Sequence, residues 1–281
     1  MDRYSVSAIG IDLQGSIWVG YTWEGVSKYN EGVWKNFYGD ILEYGHKATA
    51  IEFDSLGNIW FARYGNGMGL VKYDGNTRTI YRNGWSARSL LIDSKNNIWM
   101  GTYQGELVKF DGENWESHGL PIESDMNGSI SDIEEDLYGN IWITTNYGLF
   151  KFKDSKWEVY NTDNSGLPSN YVSDLAIDMN GILWIGTSEG LAKFDGENWE
   201  IYNSENTSLI ENYISKIALD SKGNKWLGTM EGLLRYDGSN WDYFIYEDVK
   251  YYNQIYSLKI DKDDNIWISA NDIAKLSFVQ E

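Results

Sequence analysis

The sequence predicts an all-β fold, a seven-bladed β-propeller of four-stranded antiparallel blades, and three observations lead to it. One segment of about 42 residues recurs seven times along the 281-residue chain. Each copy contains four short alternating segments separated by turn residues, the pattern of β-strands. No segment carries the 3.6-residue apolar period of a helix over a helical length.

A tryptophan that follows an Asp-x-x-Gly-Asn turn marks each copy. The segment "DMNGILWIGTSEGLAKFDGENWEIYN" (178–203) is the reference, and the same pattern recurs six more times. The marker tryptophans are Trp18, Trp60, Trp99, Trp142, Trp184, Trp226 and Trp267. Their spacings of 42, 39, 43, 42, 42 and 41 residues indicate seven units in one register.

The four strands of a unit are clearest in residues 171–202. Strand A is "YVSDLAID" (171–178), strand B "ILWIGT" (182–187), strand C "LAKFD" (191–195) and strand D "WEIY" (199–202). Such a sheet has two apolar faces and is stable only between neighbouring sheets, so we expect the ring of blades to close. The large rings of strands B and D then fill the wedges between twisted blades.

The last blade is expected to be three-stranded or incomplete, within a single domain spanning residues 1–281. Its strand C lies in "IAKLSFVQE" (273–281), and no strand D follows. The N-terminal "MDRY" cannot supply that strand, because Ser5 alone separates it from the first inner strand, about 14 Å away. An exposed sheet edge would permit self-association or pairing with a partner chain.

The repeat resembles a known family. The pattern Asp-x-x-Gly-Asn-x-Trp-(Ile/Val)-Gly-Thr-x-x-Gly-Leu-x-(Lys/Arg)-(Phe/Tyr)-Asp-Gly is similar to the two-component-regulator propeller repeat, along essentially the whole chain. That family includes sensor domains of bacterial hybrid histidine kinases and stand-alone secreted or surface-attached propellers. The resemblance implies ligand sensing or binding in a periplasmic or extracellular location.

Composition excludes several classes of function. The 23 Lys and Arg against 42 Asp and Glu give a net charge of −19, and no basic run tracks a nucleic-acid backbone, so we expect no nucleic-acid partner. The chain has no cysteine, which rules out disulfides and thiolate chemistry. No apolar run approaches the roughly 20 residues of a membrane-spanning helix, and no signal segment opens the chain.

The connections on one face of the predicted ring break the repeat. From the marker Trp to the glycine that opens strand C is six residues in units 3 to 6, seven in unit 1 and nine in unit 2. The connection after Tyr81, "RNGWSA", is half the usual length. A binding site in a repeat protein must break the repeat, so we expect it here, over blades 1 to 3.

The longest of these loops, "RYGNGMGL" (63–70), resembles a phosphate-binding loop in its glycines alone. A phosphate loop requires a following helix whose amides face the anion. The residues after this loop form strand C of a blade, and Gly69 is the repeat's own glycine. We therefore predict no nucleotide site. The residue of interest in this loop is Arg63, which precedes the glycines.

Substitutions at repeat positions identify candidate ligand-binding residues. Tyr21 and Arg63 replace the threonine that ends strand B, and Arg88 and Tyr256 replace a serine or threonine of strand A. The predicted ligand-binding residues are Arg63, Arg88, Tyr21, Trp23, Tyr64, Trp85, Tyr103, His46 and Tyr256. Arginine suits an anionic group and planar rings suit sugars. Alternatively, these long side chains plug the channel mouth and pair with local acids such as Glu24.

These residues predict non-catalytic binding of a small anionic or carbohydrate ligand. A protein-interaction scaffold is one alternative; another is a lyase resembling the streptogramin-cleaving propellers, which use a histidine base and a metal. The chain has two histidines. His118 replaces an aromatic residue of strand D, whereas His46 lies in a loop and is the only candidate base. The sequence predicts no catalytic residue, metal site or cofactor.

Overall fold

The protein consists of short β-strands joined by tight turns. A computed structural model describes residues 5–37, 39–42, 47–65, 69–81, 84–123, 128–209, 211–244, 254–270 and 272–277. These residues contain 27 strands and no helix. They therefore include no helix that could cross a membrane. The segment "MDRY" (1–4) and His46 lie outside the described residues.

The strands form seven antiparallel sheets in sequence order. Blade 1 contains β1 (Val6–Ile11), β2 (Ile17–Tyr21), β3 (Val26–Asn30) and β4 (Val33–Phe37); blade 2 contains β5 (Lys47–Phe53), β6 (Ile59–Tyr64), β7 (Leu70–Tyr73) and β8 (Arg78–Tyr81). Blade 3 contains β9 (Ala87–Ile92), β10 (Ile98–Thr102), β11 (Glu106–Phe110) and β12 (Trp115–Gly119); blade 4 contains β13 (Ile130–Glu135), β14 (Ile141–Thr145), β15 (Gly148–Lys153) and β16 (Lys156–Tyr160).

The remaining blades follow the same order. Blade 5 contains β17 (Val172–Ile177), β18 (Leu183–Thr187), β19 (Gly190–Phe194) and β20 (Trp199–Tyr202); blade 6 contains β21 (Lys216–Leu219), β22 (Lys225–Gly228), β23 (Leu233–Tyr236) and β24 (Trp241–Phe244). Blade 7 contains β25 (Ser257–Ile260), β26 (Ile266–Ser269) and β27 (Ile273–Leu276). The predicted fold class is confirmed: a seven-bladed β-propeller with six four-stranded blades and, among the described residues, a three-stranded last blade.

The chain divides into two compact units. The first comprises residues 1–130 and 267–275, and the second comprises residues 131–266 and 276–281. Each has cores built between successive blades, such as the cluster of Trp18, Phe37, Ile59 and Val71 in the first unit. In the second unit, Trp184 and Tyr202 pack with Leu227 and Tyr236 in the same way. The prediction that the repeated rings pack between blades is confirmed.

The aspartate of the A–B turn closes that turn and holds the marker tryptophan. In blade 2, Asp54 Oδ1 accepts from the backbone N–H of Leu56 and Asn58, and Oδ2 accepts from Trp60 Nε1 at 2.9 Å. Burial opposes ionisation of Asp54, but the hydrogen bonds from Trp60 and Asn58 hold its pKa below the usual value. The carboxylate therefore both closes the turn and fixes the marker tryptophan.

Candidate functional site

In most blades the inner strand, strand A, has a serine or threonine at a β-bulge. The hydroxyl of that residue donates a hydrogen bond to the next blade. The β1–β2 register shifts between Val6 and Ala8, which leaves Ser7 at the bulge. Ser7 Oγ donates to the carbonyl oxygen of Ala48 in blade 2 at 2.6 Å. Thr49, at the same place in blade 2, donates to the carbonyl oxygen of Ala87 in blade 3 at 2.9 Å. These bonds satisfy buried carbonyl groups of neighbouring strands.

Blade 3 departs from this arrangement because Arg88 stands at the bulge. The β9–β10 register shifts between the pairs Ser89–Gly101 and Ala87–Thr102. The following residue, Ser89, supplies the hydroxyl instead and donates to the carbonyl oxygen of Ile130 at 3.3 Å. Arg88 is thereby relieved of the structural role and is only half-buried. An arginine that the fold does not require at this position is available for another purpose.

Arg88 lies against an aromatic ring and a hydroxyl. Its guanidinium carbon is 5.5 Å from the centre of the Tyr103 ring, and Nη1 donates to Ser129 Oγ at 2.7 Å. Tyr64 packs edge-on against Tyr103 with ring centres 4.8 Å apart. Tyr64 is 50% exposed, so this pair of rings reaches solvent. The structure thus brings together three of the predicted residues, Arg88, Tyr64 and Tyr103.

A second cation, Lys47, belongs to this cluster. Lys47 opens β5 and is the cross-strand partner of Tyr64. Burial, and next the positive charge of Arg88, hold the pKa of Lys47 below its usual value. Among the described residues, no carboxylate forms an ion pair with either Lys47 or Arg88. Two like charges therefore lie near each other, and none of the described acids pairs with either of them, in a protein of net charge −19.

The cluster also affects Tyr103. Burial raises the pKa of the Tyr103 hydroxyl, and although the charge of Arg88 opposes this, the phenol remains protonated at neutral pH. A protonated phenol both donates and accepts hydrogen bonds. The cluster of Lys47, Tyr64, Arg88, Tyr103 and Ser129, called the cation cluster below, therefore offers cations, hydroxyls and ring faces at one end of the blades.

Arg63 occupies a position with a different structural role. In blade 5 the equivalent Thr187 donates from Oγ1 to the carbonyl oxygen of Gly190 and accepts from the N–H of Glu189, which closes the B–C turn. Arg63 cannot make these bonds, and its loop is longer: its own N–H donates to the carbonyl oxygen of Gly69 at 3.1 Å. The side chain is 0% exposed. A ligand would therefore reach Arg63 only after rearrangement.

The remaining predicted residues are distributed as follows. Tyr21 packs on the core that contains Val6 and Trp267, and Trp85 packs on the core between blades 2 and 3. The carbonyl oxygen of Trp85 also accepts from the N–H of Gly69 at 3.1 Å. These two rings thus contribute to packing. Trp23 is 59% exposed in the turn after β2, and Tyr256 is 44% exposed immediately before β25.

His118 packs as part of strand D of blade 3, whereas His46 lies outside the described residues. The His118 ring lies 6.4 Å from Trp99, centre to centre, in the place where Tyr160 and Tyr202 meet Trp142 and Trp184. The prediction that His118 is an aromatic replacement is confirmed. Within the part of the chain that the structure describes, no group of three or more His, Asp or Glu side chains is arranged to hold a metal ion.

The second unit contains a buried charged network at the position that follows the bulge. Asp174 and Lys216 form an ion pair between neighbouring inner strands, and Asp174 Oδ2 accepts from the N–H of Ile217 at 2.7 Å. Asp132 Oδ2 accepts from the N–H of Leu175. Burial raises the pKa of the Asp174 carboxyl to about 7, against the opposing charge of Lys216, and the Asp132 charge adds to the rise. These contacts link blades 4, 5 and 6.

Sequence reasoning missed Lys47 and Ser129 in the cation cluster. Both lie two places before the bulge position of strand A, where Ser5, Ser86 and Tyr171 stand in other blades. The lysine breaks the repeat there, so comparing this position across the repeats would have found it. Ser129 follows the repeat, and only the tertiary contact with Arg88 reveals its role.

Comparison with known proteins supports the fold and the repeat. The family profile described as "Two component regulator propeller" matches residues 166–189, which confirms the resemblance in that segment. The extracellular domain of a hybrid two-component system from B. thetaiotaomicron superposes with a TM-score of 0.80 at 19% identity, over 100% of this chain and 39% of that one. This chain thus spans about two fifths of that structure. Among curated proteins, none matches by sequence.

Two further solved structures share the fold in other settings. Virginiamycin B lyase from Staphylococcus aureus superposes with a TM-score of 0.84 at 12% identity, over 99% of this chain and 96% of the lyase. PorZ is a bacterial surface component of the type-IX secretion system of Porphyromonas gingivalis. It superposes with a TM-score of 0.73 at 17% identity, over 98% of this chain and 46% of PorZ. At these identities the likeness extends to the fold alone.

Proposed function

We propose that this chain is a non-catalytic, ligand-sensing propeller domain that binds a small anionic or carbohydrate ligand at the cation cluster. The observation that carries the proposal is that two cations flank one pair of rings: Lys47 is the cross-strand partner of Tyr64, and Arg88 lies against Tyr103. The two cations lie close enough for the charge of Arg88 to lower the pKa of Lys47, and among the described residues neither has an acidic partner. An anion between them would relieve this repulsion.

The rings beside the cations favour an acidic sugar or a similar ligand. Tyr64 and Tyr103 offer apolar faces, and the hydroxyls of Tyr103 and Ser129 offer hydrogen bonds. Ligand sites commonly combine aromatic surface with a few oriented polar groups. A sugar acid carries the matching set: a flat apolar face, hydroxyls and one carboxylate. Neutral sugars would use the rings but leave the cations uncompensated.

The structural relatives support a sensory role outside the cytoplasm. The hybrid two-component domain is extracellular, and PorZ is a surface component. We place this chain in the same periplasmic or extracellular setting, as a single propeller domain of residues 1–281. Signal output would then depend on a polypeptide to which the propeller is coupled.

Two other functions remain alternatives. The likeness to virginiamycin B lyase supports a lyase, which would require a base such as His46. A protein-interaction role would use the outer strand of blade 7, β27, which ends the three-stranded sheet. The cation cluster favours neither, because it contains no histidine and does not include β27.

Isothermal titration calorimetry with glucuronate, galacturonate and the neutral sugars glucose and galactose tests the proposal. We expect a sugar acid to bind the wild type and to bind at least ten-fold more weakly to Arg88→Ser and Lys47→Gln. Lys151→Gln, which removes a cation from an outer strand of blade 4, is the matched control and should bind normally. Equal affinity in all variants, or no binding of any acid, would overturn the proposal.

A further inference from the structure

A cavity lies between blades 1 and 2, at the end of the strands opposite to the cation cluster. Its volume is about 260 Å³, and it opens among the A–B and C–D turns. The rings of Trp18, Phe37 and Tyr73 line it, together with Lys28 and Lys35. Because B–C and A–B turns occupy opposite ends of a sheet, this cavity is separate from the cation cluster.

The cavity exists because blade 2 lacks a tryptophan that other blades have. Trp115 opens β12, stacks on Phe110 with ring centres 4.4 Å apart, and reaches Tyr81 of the preceding blade at 6.1 Å. Trp199 and Trp241 do the same in blades 5 and 6. Blade 2 has Arg78 at this register, opposite Tyr73.

Arg78 does not replace the missing ring. Its Nη1 donates to the carbonyl oxygen of Gly39 at 3.0 Å. The indole that stacks on the strand C ring in other blades is therefore absent from Tyr73, whose ring centre lies 6.3 Å from that of Phe37.

The charges at the mouth of the cavity also break the repeat. Strand C carries a cation whose cross-strand partner on strand D is an acid in blades 4, 5 and 6, as in the pair Lys193 and Glu200 at 3.0 Å. In blade 1 the partner of Lys28 is Lys35. Like charges directly opposite each other destabilise a sheet.

The surplus positive charge belongs to Lys35. Lys28 Nζ pairs with Asp12 Oδ2 at 2.9 Å, whereas Lys35 Nζ lies 4.8 Å from the centre of the Phe37 ring. Among residues the structure describes, no carboxylate pairs with Lys35. A cation at the rim of an aromatic cavity matches a ligand that combines a flat ring with a negative charge.

We propose that the cavity between blades 1 and 2 binds a small aromatic carboxylate of about the size of indole-3-carboxylate. The ring stacks on Tyr73 beside Phe37, where other blades place their own indole, and the carboxylate pairs with Lys35. The volume lies below the roughly 300 Å³ at which typical ligand pockets begin, so one ring system fits and an oligosaccharide does not. This site does not depend on the cation cluster.

Titration of the full chain with indole-3-carboxylate, followed by calorimetry and by NMR of the tryptophan side chains, tests the proposal. We expect saturable binding to the wild type and at least ten-fold weaker binding to Lys35→Glu and to Arg78→Trp. Both changes introduce the residue that other blades have at the same register, so the variants should fold. Circular dichroism checks that they do. Uncharged indole should also bind at least ten-fold more weakly.

Two controls separate this site from the other. Glu200→Lys places a lysine opposite Lys193 in blade 5, like the pair in blade 1. Trp241 occupies the corresponding space beside blade 5, so this change should create no additional binding site. Arg88→Ser should leave indole-3-carboxylate binding unchanged. Loss of binding in Arg88→Ser, equal affinity in Lys35→Glu and Arg78→Trp, or no binding to the wild type at millimolar concentrations would each overturn the proposal.

Discussion

The guanidinium of Arg88 lies 5.5 Å from the centre of the Tyr103 ring, so this cation rests on an aromatic face instead of a carboxylate. The arrangement is possible because Ser89 makes the bond to Ile130 that a bulge hydroxyl makes in other blades. Ser89 thereby takes the structural role, and the adjacent Arg88 has the ligand-binding role that we propose. Substitutions can therefore separate them.

Arg88→Ser should leave stability nearly unchanged, whereas Ser89→Ala should lower it. The first change removes a partly exposed side chain and keeps the inter-blade bond, so we expect a change within about 0.5 kcal/mol. The second leaves the buried carbonyl of Ile130 without its donor, which costs about 1 to 3 kcal/mol. Urea denaturation measures both. A larger loss in Arg88→Ser than in Ser89→Ala would contradict this division of roles.

The pKa of Lys47 should rise when Arg88 is removed. Burial is the larger cause of its lowered pKa and persists, but the repulsion from Arg88 disappears in Arg88→Ser. NMR titration of the lysine side chain should show an upward shift towards the usual value of about 10.4 without reaching it. Arg235→Ser, on an outer strand of blade 6, should have no effect. An unchanged Lys47 pKa in Arg88→Ser would show that the two charges do not interact.

Asp174 should make stability fall between about pH 4 and pH 7. Burial raises its folded pKa to about 7, so in this range the folded state retains a proton that the unfolded state releases. The stability contribution is complete below the unfolded pKa and is lost as pH rises through the folded pKa, with a slope of at most about 1.4 kcal/mol per pH unit. Urea denaturation of the wild type and of Asp174→Asn between pH 4 and pH 7 measures this contribution to the free energy of unfolding. If the free energy of unfolding depends on pH in the same way in both proteins, the prediction is wrong.

Glycine at the start of strand C should tolerate no side chain. Gly190 has a φ of +125°, and a Cβ there would lie 2.4 Å from the carbonyl oxygen of Tyr202. Gly196 also has a positive φ, +101°, but open space around it. Gly196→Ala should cost about 1 to 2 kcal/mol from the backbone alone. Gly190→Ala should cost about 1 to 3 kcal/mol more because of the clash. Thermal denaturation measures both losses. Similar decreases in Tm for the two variants would contradict the predicted clash at Gly190.

Much of the fold was predictable because its determinants are local. The Asp-x-x-Gly-Asn turn, the alternating strand pattern and the spacing of the tryptophans lie within single repeats, and each depends on neighbouring residues. The three-stranded last blade follows from the same count. The candidate site was predicted in part: Arg88, Tyr64 and Tyr103 lie together, whereas Tyr21 and Trp85 contribute to packing.

The sequence by itself determined the repeat, the number of blades, the turn chemistry and the end of the blades at which the repeat breaks. The tertiary structure decided which of the unusual residues meet. Arg63 and Arg88 look equivalent as substitutions, yet Arg63 is buried at a B–C turn, whereas Arg88 is half-buried at the bulge of an inner strand. Lys47 and Ser129 join Arg88 only through packing between blades, and these contacts between distant segments leave no local pattern.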